Sequence, residues 1–348
     1  MLINLLEYNW AEDLDEALIL LGRGDVKTVA LAGGTSLLGR DDETIQAVVD
    51  LRDLELAYIE EGARNGQVVF SSGTPARGTE GGLRVGAMTT LQTLAEAPVL
   101  REGALSVLSQ AARCSSSSLL IRNSATLGGT LALGATSQAD LLTALAVLDV
   151  EVVLRSGSRT QVDLAGGTLE RPGFALPGVI FKGKQERRVS FATLRAELRP
   201  NELIIEIALP KPPGGRGGAF LRVGRTPSDV ALLNAAAVVE VRDDVYQHVR
   251  LALGGVNMEP VRLTAVERQM EGQPVTTGES GSGLDVQRLA NGLQAGMATF
   301  QPPSDPRASE GYRRVVGMNL AFRALEEATN VSRWRSMVSE FQYPQTDQ

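Results

Sequence analysis

The chain has 348 residues, 43% hydrophobic and 22% charged, with 37 Gly, 15 Pro, one Cys and one His. A single thiol excludes an internal disulfide, an iron–sulfur cluster held by this chain alone and a Cys-rich zinc site, and a single imidazole excludes a multi-histidine metal centre. A net charge of −7, no dense Lys/Arg run and 4% aromatic residues leave out the electrostatic and stacking footprint of a nucleic-acid binder.

The first residues, Met1-Leu2-Ile3-Asn4-Leu5-Leu6-Glu7, lack a basic region followed by a long apolar one. No uninterrupted apolar stretch reaches bilayer length either, so no membrane span is expected and the cytoplasm is the expected compartment. Leu14, Ala17, Leu18 and Leu21 recur on one helical face, with Asp13 and Glu16 spaced as a capping box and Gly22 at the end. The run 26–31 reads as a strand and enters Ala32-Gly33-Gly34-Thr35-Ser36-Leu37-Leu38, so strand, glycine loop and apolar segment follow in the order that phosphate cradles use. Short strands are predicted at 48–51, 68–70 and 83–87, then a helix from about Leu91 behind Thr89-Thr90. Residues 103–113 read as a helix that Ser115 to Ser118 breaks, and residues 121–130 as a second glycine-bearing segment. A helix at 141–148 and a strand at 151–154 come next. The Gly, Pro and charge from Arg155 to Arg188 predict surface hairpins and loops, and residues 204–209 a strand ended by Pro210.

Lys211-Pro212-Pro213-Gly214-Gly215-Arg216-Gly217-Gly218 continues neither strand nor helix and places a domain boundary there. The expected division is a first domain at 1–213, a second at 214–330 and a C-terminal tail at 331–348. The second domain reads as an α+β unit, with strands at 235–241 and 249–253, a polar loop at 272–283 and helices at 286–297 and 312–328.

Gly-Gly-Thr occurs at 33–35, 128–130 and 166–168. Glycine lets successive backbone N–H groups approach an anion and the neighbouring hydroxyl adds a donor. The third copy, among Arg, Asp and Pro, reads as a surface turn. The first two match neither the dinucleotide fingerprint nor the nucleotide-hydrolase phosphate loop, and their separation suggests a longer ligand with two phosphates. Cys114 reads as an inert, partly buried thiol and His248 as an exposed strand or turn residue far from these loops. Arg122 is open to three roles: partner contact, phosphate contact or structure. Asp140 is placed to cap the helix that follows it, to bind a ribose, or both.

Ala32 to Leu38, Val85-Gly86-Ala87-Met88-Thr89-Thr90 and Ile121-Arg122-Asn123-Ser124-Ala125-Thr126-Leu127-Gly128-Gly129 together resemble the FAD-binding subunit of the molybdenum hydroxylases. That family includes the xanthine dehydrogenase FAD domain and the carbon monoxide dehydrogenase medium subunit. The likeness continues through Ala139-Asp140-Leu141-Leu142, Arg225 to Ala231, Leu253-Gly254-Gly255-Val256, Pro260-Val261-Arg262 and Tyr312-Arg313-Arg314. It implies an α+β fold: a FAD-binding domain of the p-cresol methylhydroxylase type, made of two α+β subdomains, then a smaller C-terminal α+β domain of the carbon monoxide dehydrogenase flavoprotein type. By this resemblance Ala32, Gly33, Gly34, Thr35, Ser36 and Leu37, with Thr126, Gly128, Gly129 and Thr130, wrap the pyrophosphate of noncovalent FAD. Asp140 then lies near the ribose or adenine, and Ile204 and Arg222 flank the isoalloxazine.

No residue is assigned as a catalytic acid, base or metal ligand. The implied partners are a molybdenum-cofactor large subunit and a 2Fe-2S small subunit, with electrons passing through FAD to NAD, a quinone or oxygen. Three departures mark the chain: Thr130 where the family usually has Asn, one extra residue between Thr130 and Asp140, and Leu221-Arg222 in place of the lysine region. They motivate an alternative, a FAD-free scaffold or assembly subunit. A stand-alone flavin reductase like UDP-N-acetylenolpyruvoylglucosamine reductase is the other alternative, against which the C-terminal motifs argue.

Overall fold

The computed structural model describes residues 2–61, 82–134, 139–161, 179–275, 286–297 and 300–342. β1 (Glu7–Trp10), α1 (Leu14–Leu21), β2 (Thr28–Leu31) and β3 (Ala47–Asp50) form a three-stranded parallel sheet, order β1-β3-β2, with α1 as the crossover between its edge strands. Asp13 caps α1 by accepting from the Glu16 amide at 2.8 Å, while Glu16 reaches back to the Glu12 amide, one residue before the position a capping box predicts.

A second layer follows: β4 (Ile59–Glu61), β5 (Leu83–Gly86), α2 (Leu91–Glu96), α3 (Ser106–Cys114), α4 (Leu119–Ser124), α5 (Leu127–Leu133), α6 (Ala139–Ala146), β6 (Glu151–Gln161), β7 (Val179–Ser190), α7 (Leu194–Glu197) and β8 (Glu202–Leu209). Its five strands pair antiparallel in the order β4-β5-β8-β6-β7, and their inner face meets α2, α3 and α6 in the largest apolar core. The opposite side of β6 and β8, through Val153, Leu203 and Ile205, packs on α1 and β3 and joins the two sheets.

The third unit comprises β9 (Arg216–Val223), β10 (Leu233–Arg242), β11 (Val245–Gly254), β12 (Val261–Arg262), α8 (Thr264–Met270), α9 (Val286–Met297) and α10 (Glu310–Gln342), its antiparallel sheet ordered β12-β11-β10-β9. β10 is buried on both faces, which explains its unbroken apolar run. Leu233, Ala235, Ala237, Val239 and Val241 face α8, α9 and α10, whereas Ala236 and Val238 join the core of the second layer. All three units are α+β in character.

Four sequence expectations change. Residues 121–130 are not a loop but the end of α4 and the start of α5, because Ser118 and Thr126 each cap a helix. The charged stretch 155–188 keeps the expected hairpin, but as two long paired strands, β6 and β7: Arg155 with Glu186 and Arg188 with Glu151 pair across the two strands, Arg155 also reaches Asp15 of α1, and Arg187 reaches Glu202 of β8. Gly217 and Gly218 lie inside β9: a Cβ on Gly217 would sit 2.3 Å from the Ala328 oxygen, and one on Gly218 2.9 Å from the Ala104 oxygen. The expected tail at 331–348 is helical through Gln342, with Ser332 buried and accepting from the Val241 amide at 2.8 Å while donating to the Gly215 carbonyl. The strand expected at 68–70, the third Gly-Gly-Thr and residues 276–283 of the polar loop lie outside the described residues.

His248 sits on β11 and is half-buried rather than exposed. Burial first, then Arg216 and Arg250, holds the imidazole down at about 4. The folded state therefore prefers the neutral ring, and its share of stability is complete above the ordinary value of 6.5 and is lost as pH falls toward 4. Because the chain has one His, a proton NMR titration of the folded protein reads this directly. A midpoint near 4 is expected; an unshifted midpoint would show that the ring is solvated.

Candidate functional site

The first glycine loop leaves the C-terminal end of β2, the edge of a parallel sheet where chain turns open toward ligands. Gly33 lies directly against α4: a Cβ there would be 1.6 Å from the Ser124 oxygen and 2.5 Å from its carbonyl carbon. Gly34 has φ +70°, a conformation side chains disfavour, and its carbonyl accepts from the Leu38 amide at 3.0 Å to close the turn. Among the described residues the amides of Gly33, Gly34, Thr35 and Ser36 have no intramolecular hydrogen-bond partner, so four consecutive donors remain for a ligand.

The second glycine pair is built differently. Leu127 and Gly128 donate to the carbonyls of Thr89 and Ala87 at 2.9 and 2.8 Å, stitching the start of α5 to the segment after β5. Gly128 is small because it is buried on Ala87, whose Cβ would lie 2.7 Å from an added Cβ. Gly129 is exposed; its amide donates to the capping Thr126 hydroxyl at 3.2 Å, and an added Cβ would face Ala32 at 3.8 Å. Thr130 is buried and its hydroxyl donates to the Thr126 carbonyl at 2.8 Å, so that donor is spent within the helix.

Both segments converge. A cleft of about 190 Å³ is lined by Ala32, Gly33, Gly34, Thr35, Ser36 and Leu37 from one side and by Thr126, Gly129 and Thr130 from the other. Gly128 underlies this wall without lining it. The cleft also takes in Ala30, Arg40, Ala125, Ala132 and Leu133, which sequence reading left out. Ala132 and Leu133 stand three and four residues beyond Gly129, the spacing of one helical face, and were legible only once residues 127–133 were known to be helical. A glycine-walled groove with four free amides fits an extended diphosphate. Among the described residues no cluster of His, Cys, Asp or Glu could hold a metal.

Asp140, Ile204 and Arg222 do not line this cleft. Asp140 lies in the first turn of α6, inside the helix and not at its cap, and is 5% exposed. It accepts from Asn234 Nδ2 at 2.6 Å and stands 3.5 Å from Arg222 Nε. Burial pushes its carboxyl above the ordinary value, opposed by Arg222 and by the Asn234 hydrogen bond. Arg222 is further held by the carbonyls of Pro227 and Asp229. These three residues from α6, β9 and β10 form a buried polar junction between the second and third units. Ile204 is a core residue of β8. The Cys114 thiol is pushed up, first by burial and then by Asp140, which leaves it in the unreactive protonated form.

A family model described as the FAD binding domain in molybdopterin dehydrogenase matches residues 4–212, and one described as the CO dehydrogenase flavoprotein C-terminal domain matches residues 219–328. The glyceraldehyde dehydrogenase medium chain of Sulfolobus acidocaldarius is 26% identical, covering 92% of this chain and 97% of that protein. The carbon monoxide dehydrogenase medium chain of Hydrogenophaga pseudoflava is also 26% identical, covering 92% and 96%. A solved structure of carbon monoxide dehydrogenase from Hydrogenophaga pseudoflava superposes with a TM-score of 0.74 at 23% identity, over 95% of this chain and 99% of that one, and so shares the fold. The two consecutive matches and the glycine cleft at the junction of the first two sheets lead to one conclusion: the chain belongs to the family of FAD-binding domains of molybdopterin dehydrogenases, extended by a CO dehydrogenase flavoprotein C-terminal domain.

Proposed function

We propose that this chain is the FAD-binding electron-transfer subunit of a molybdenum hydroxylase complex. The observation that carries the reading is the convergence of two glycine segments, about a hundred residues apart in the chain, on one cleft in which four successive amides have no partner among the described residues. In this reading the amides of Gly33 to Ser36 hold the pyrophosphate, and Gly129 keeps the opposite wall low enough for it to enter. Asp140, Arg222 and Ile204 hold the flavin end where the C-terminal unit meets the FAD-binding units. FAD, when bound, supplies the redox chemistry, and the protein supplies binding, orientation and a fixed electrostatic surrounding. Relatives named medium chains support a hetero-oligomer with a molybdenum-cofactor large subunit and a 2Fe-2S small subunit, which the single Cys of this chain requires to be separate. The cytoplasm is the proposed compartment and NAD, a quinone or oxygen the final acceptor.

One observation favours a second reading. The hydroxyl of Thr130 is turned back to Thr126, so the position where the family usually offers an amide offers the cleft no free donor, as a FAD-free scaffold subunit would tolerate. The visible absorbance spectrum of the purified chain, before and after incubation with FAD, separates the two. Flavin bands that persist through gel filtration are expected. Their absence even after reconstitution would leave the scaffold, and direct reduction by NADPH without a partner would point to a stand-alone reductase.

A further inference from the structure

α4 is a helix with no buried residue: Leu119, Leu120 and Ile121 are 51%, 79% and 42% exposed, and neither Asn123 nor Ser124 is buried. Apolar burial, which fixes most short helices, is missing here. Yet the C-terminal end of this helix is a wall of the cleft, since the Ser124 carbonyl is the surface on which Gly33 rests and Ala125 lines the groove. An unanchored helix cannot hold a contact with so little clearance. The Leu91 amide of α2 holds the exit of α4 by donating to the Ala125 carbonyl at 2.9 Å. The side-chain anchor of α4 itself is Arg122, half-buried, whose Nε donates to Gln92 Oε1 of α2 at 2.7 Å and whose second nitrogen donates to the Ser116 carbonyl in the serine turn. Arg122 does not line the cleft. The guanidinium fork thus ties α4 to α2 with one arm and to the serine turn that precedes α4 with the other; Thr90, which caps α2, also bridges to Thr126 at the start of α5.

We propose that Arg122 is a positioning residue for the FAD cleft: through Gln92 and Ser116 it fixes α4 and with it the seat of the first glycine loop. It makes no contact with the ligand. The inference rests on the FAD reading for its binding consequence, but its structural consequence can be read without FAD.

The test compares wild type with Arg122→Ala, Arg122→Lys and Gln92→Ala in two measurements on the full chain. In hydrogen–deuterium exchange without FAD, Arg122→Ala should raise exchange at residues 33–38 and 121–125 while the core strands β8 and β10 keep wild-type protection. In FAD titrations, Arg122→Ala should weaken binding about 10- to 100-fold, the scale of losing a charged hydrogen-bonded anchor. Gln92→Ala should weaken it in the same direction by less, and Arg122→Lys should fall between, because an ammonium cannot fork to both partners. The double variant Arg122→Ala with Gln92→Ala, measured alongside, should be no worse than Arg122→Ala alone, since the arginine change already removes the link to Gln92. A merely structural arginine would lower global stability without a local exchange change, and that result overturns the proposal. A phosphate-contacting arginine would leave Gln92→Ala silent and make the loss shrink at high salt, which overturns it equally. Unchanged exchange in Arg122→Ala refutes the proposal whether or not FAD binds. Failure of wild type to bind FAD, with the exchange change present, refutes the cofactor reading and leaves the positioning role standing.

Discussion

Gly129→Asp is expected to remove FAD binding while leaving the fold in place. Gly129 is exposed on the cleft wall, and an added side chain would meet only the Thr126 hydroxyl at 2.9 Å and Ala32 at 3.8 Å. The hydroxyl can rotate away at the loss of a cap, a cost of about 1 kcal/mol. Replacing glycine within a helix and adding an acidic group to its first turn offset that cost by a similar amount. The carboxylate, however, projects where a diphosphate must lie, and two like charges a few ångströms apart in a partly dry groove cost several kcal/mol. Binding should fall at least about 100-fold, with a melting temperature close to wild type. FAD content equal to wild type would show that the pyrophosphate lies elsewhere.

Gly33→Ala should behave in the opposite way with respect to stability, although it adds a single methyl. Its Cβ would come within 1.6 Å of the Ser124 oxygen and 3.2 Å of the Ala125 nitrogen, main-chain atoms that no rotamer can move. The loop and α4 must separate, so both walls of the cleft shift together. Overpacking of this kind costs about 1–3 kcal/mol. A lower denaturation midpoint should therefore accompany a fall in FAD affinity of more than about tenfold. Wild-type stability in Gly33→Ala would mean that the loop and α4 are not in contact in solution.

Two glycines, one from each Gly-Gly-Thr segment, thus fail for different physical reasons, and the sequence could not separate them. Their identity was legible because Ala32 to Leu37 follows a clear strand and shares a pattern with a known family. Their division of labour was not, because Gly33 is small on account of Ser124, ninety-one residues away in the chain. The second pair shows the same limit within one dipeptide: Gly128 serves packing on Ala87 and Gly129 faces the cleft. Residues 121–130 read as a loop because glycine and serine lower helix propensity, whereas the caps at Ser118 and Thr126 and the stitching to Ala87 and Thr89 outweigh it. The start of β6 was legible, but the rest of β6 and β7 was hidden, since beyond the buried Val152, Leu154 and Val189 the strands carry charged side chains in cross-strand ion pairs that a periodicity search cannot register. Of the strands of the third unit, β10 and β11 were plain in the sequence, but that β10 serves two cores, one on each face, was not, and β9 was hidden by its glycines.

The last helix has a consequence for how the chain is made. Arg335 donates to the Gly214 carbonyl and pairs with Glu102, a contact that spans 233 positions, and Ser332 closes over the Gly215 carbonyl. Contacts of such separation form late, because a long loop must be closed before they return any energy. During synthesis the FAD-binding units emerge well before the segment that seals their seam with the third unit. Until α10 has left the ribosome, the glycine-lined surface of β9 stands uncovered, and the nascent chain presents an open sheet face that a chaperone or a neighbouring chain can reach.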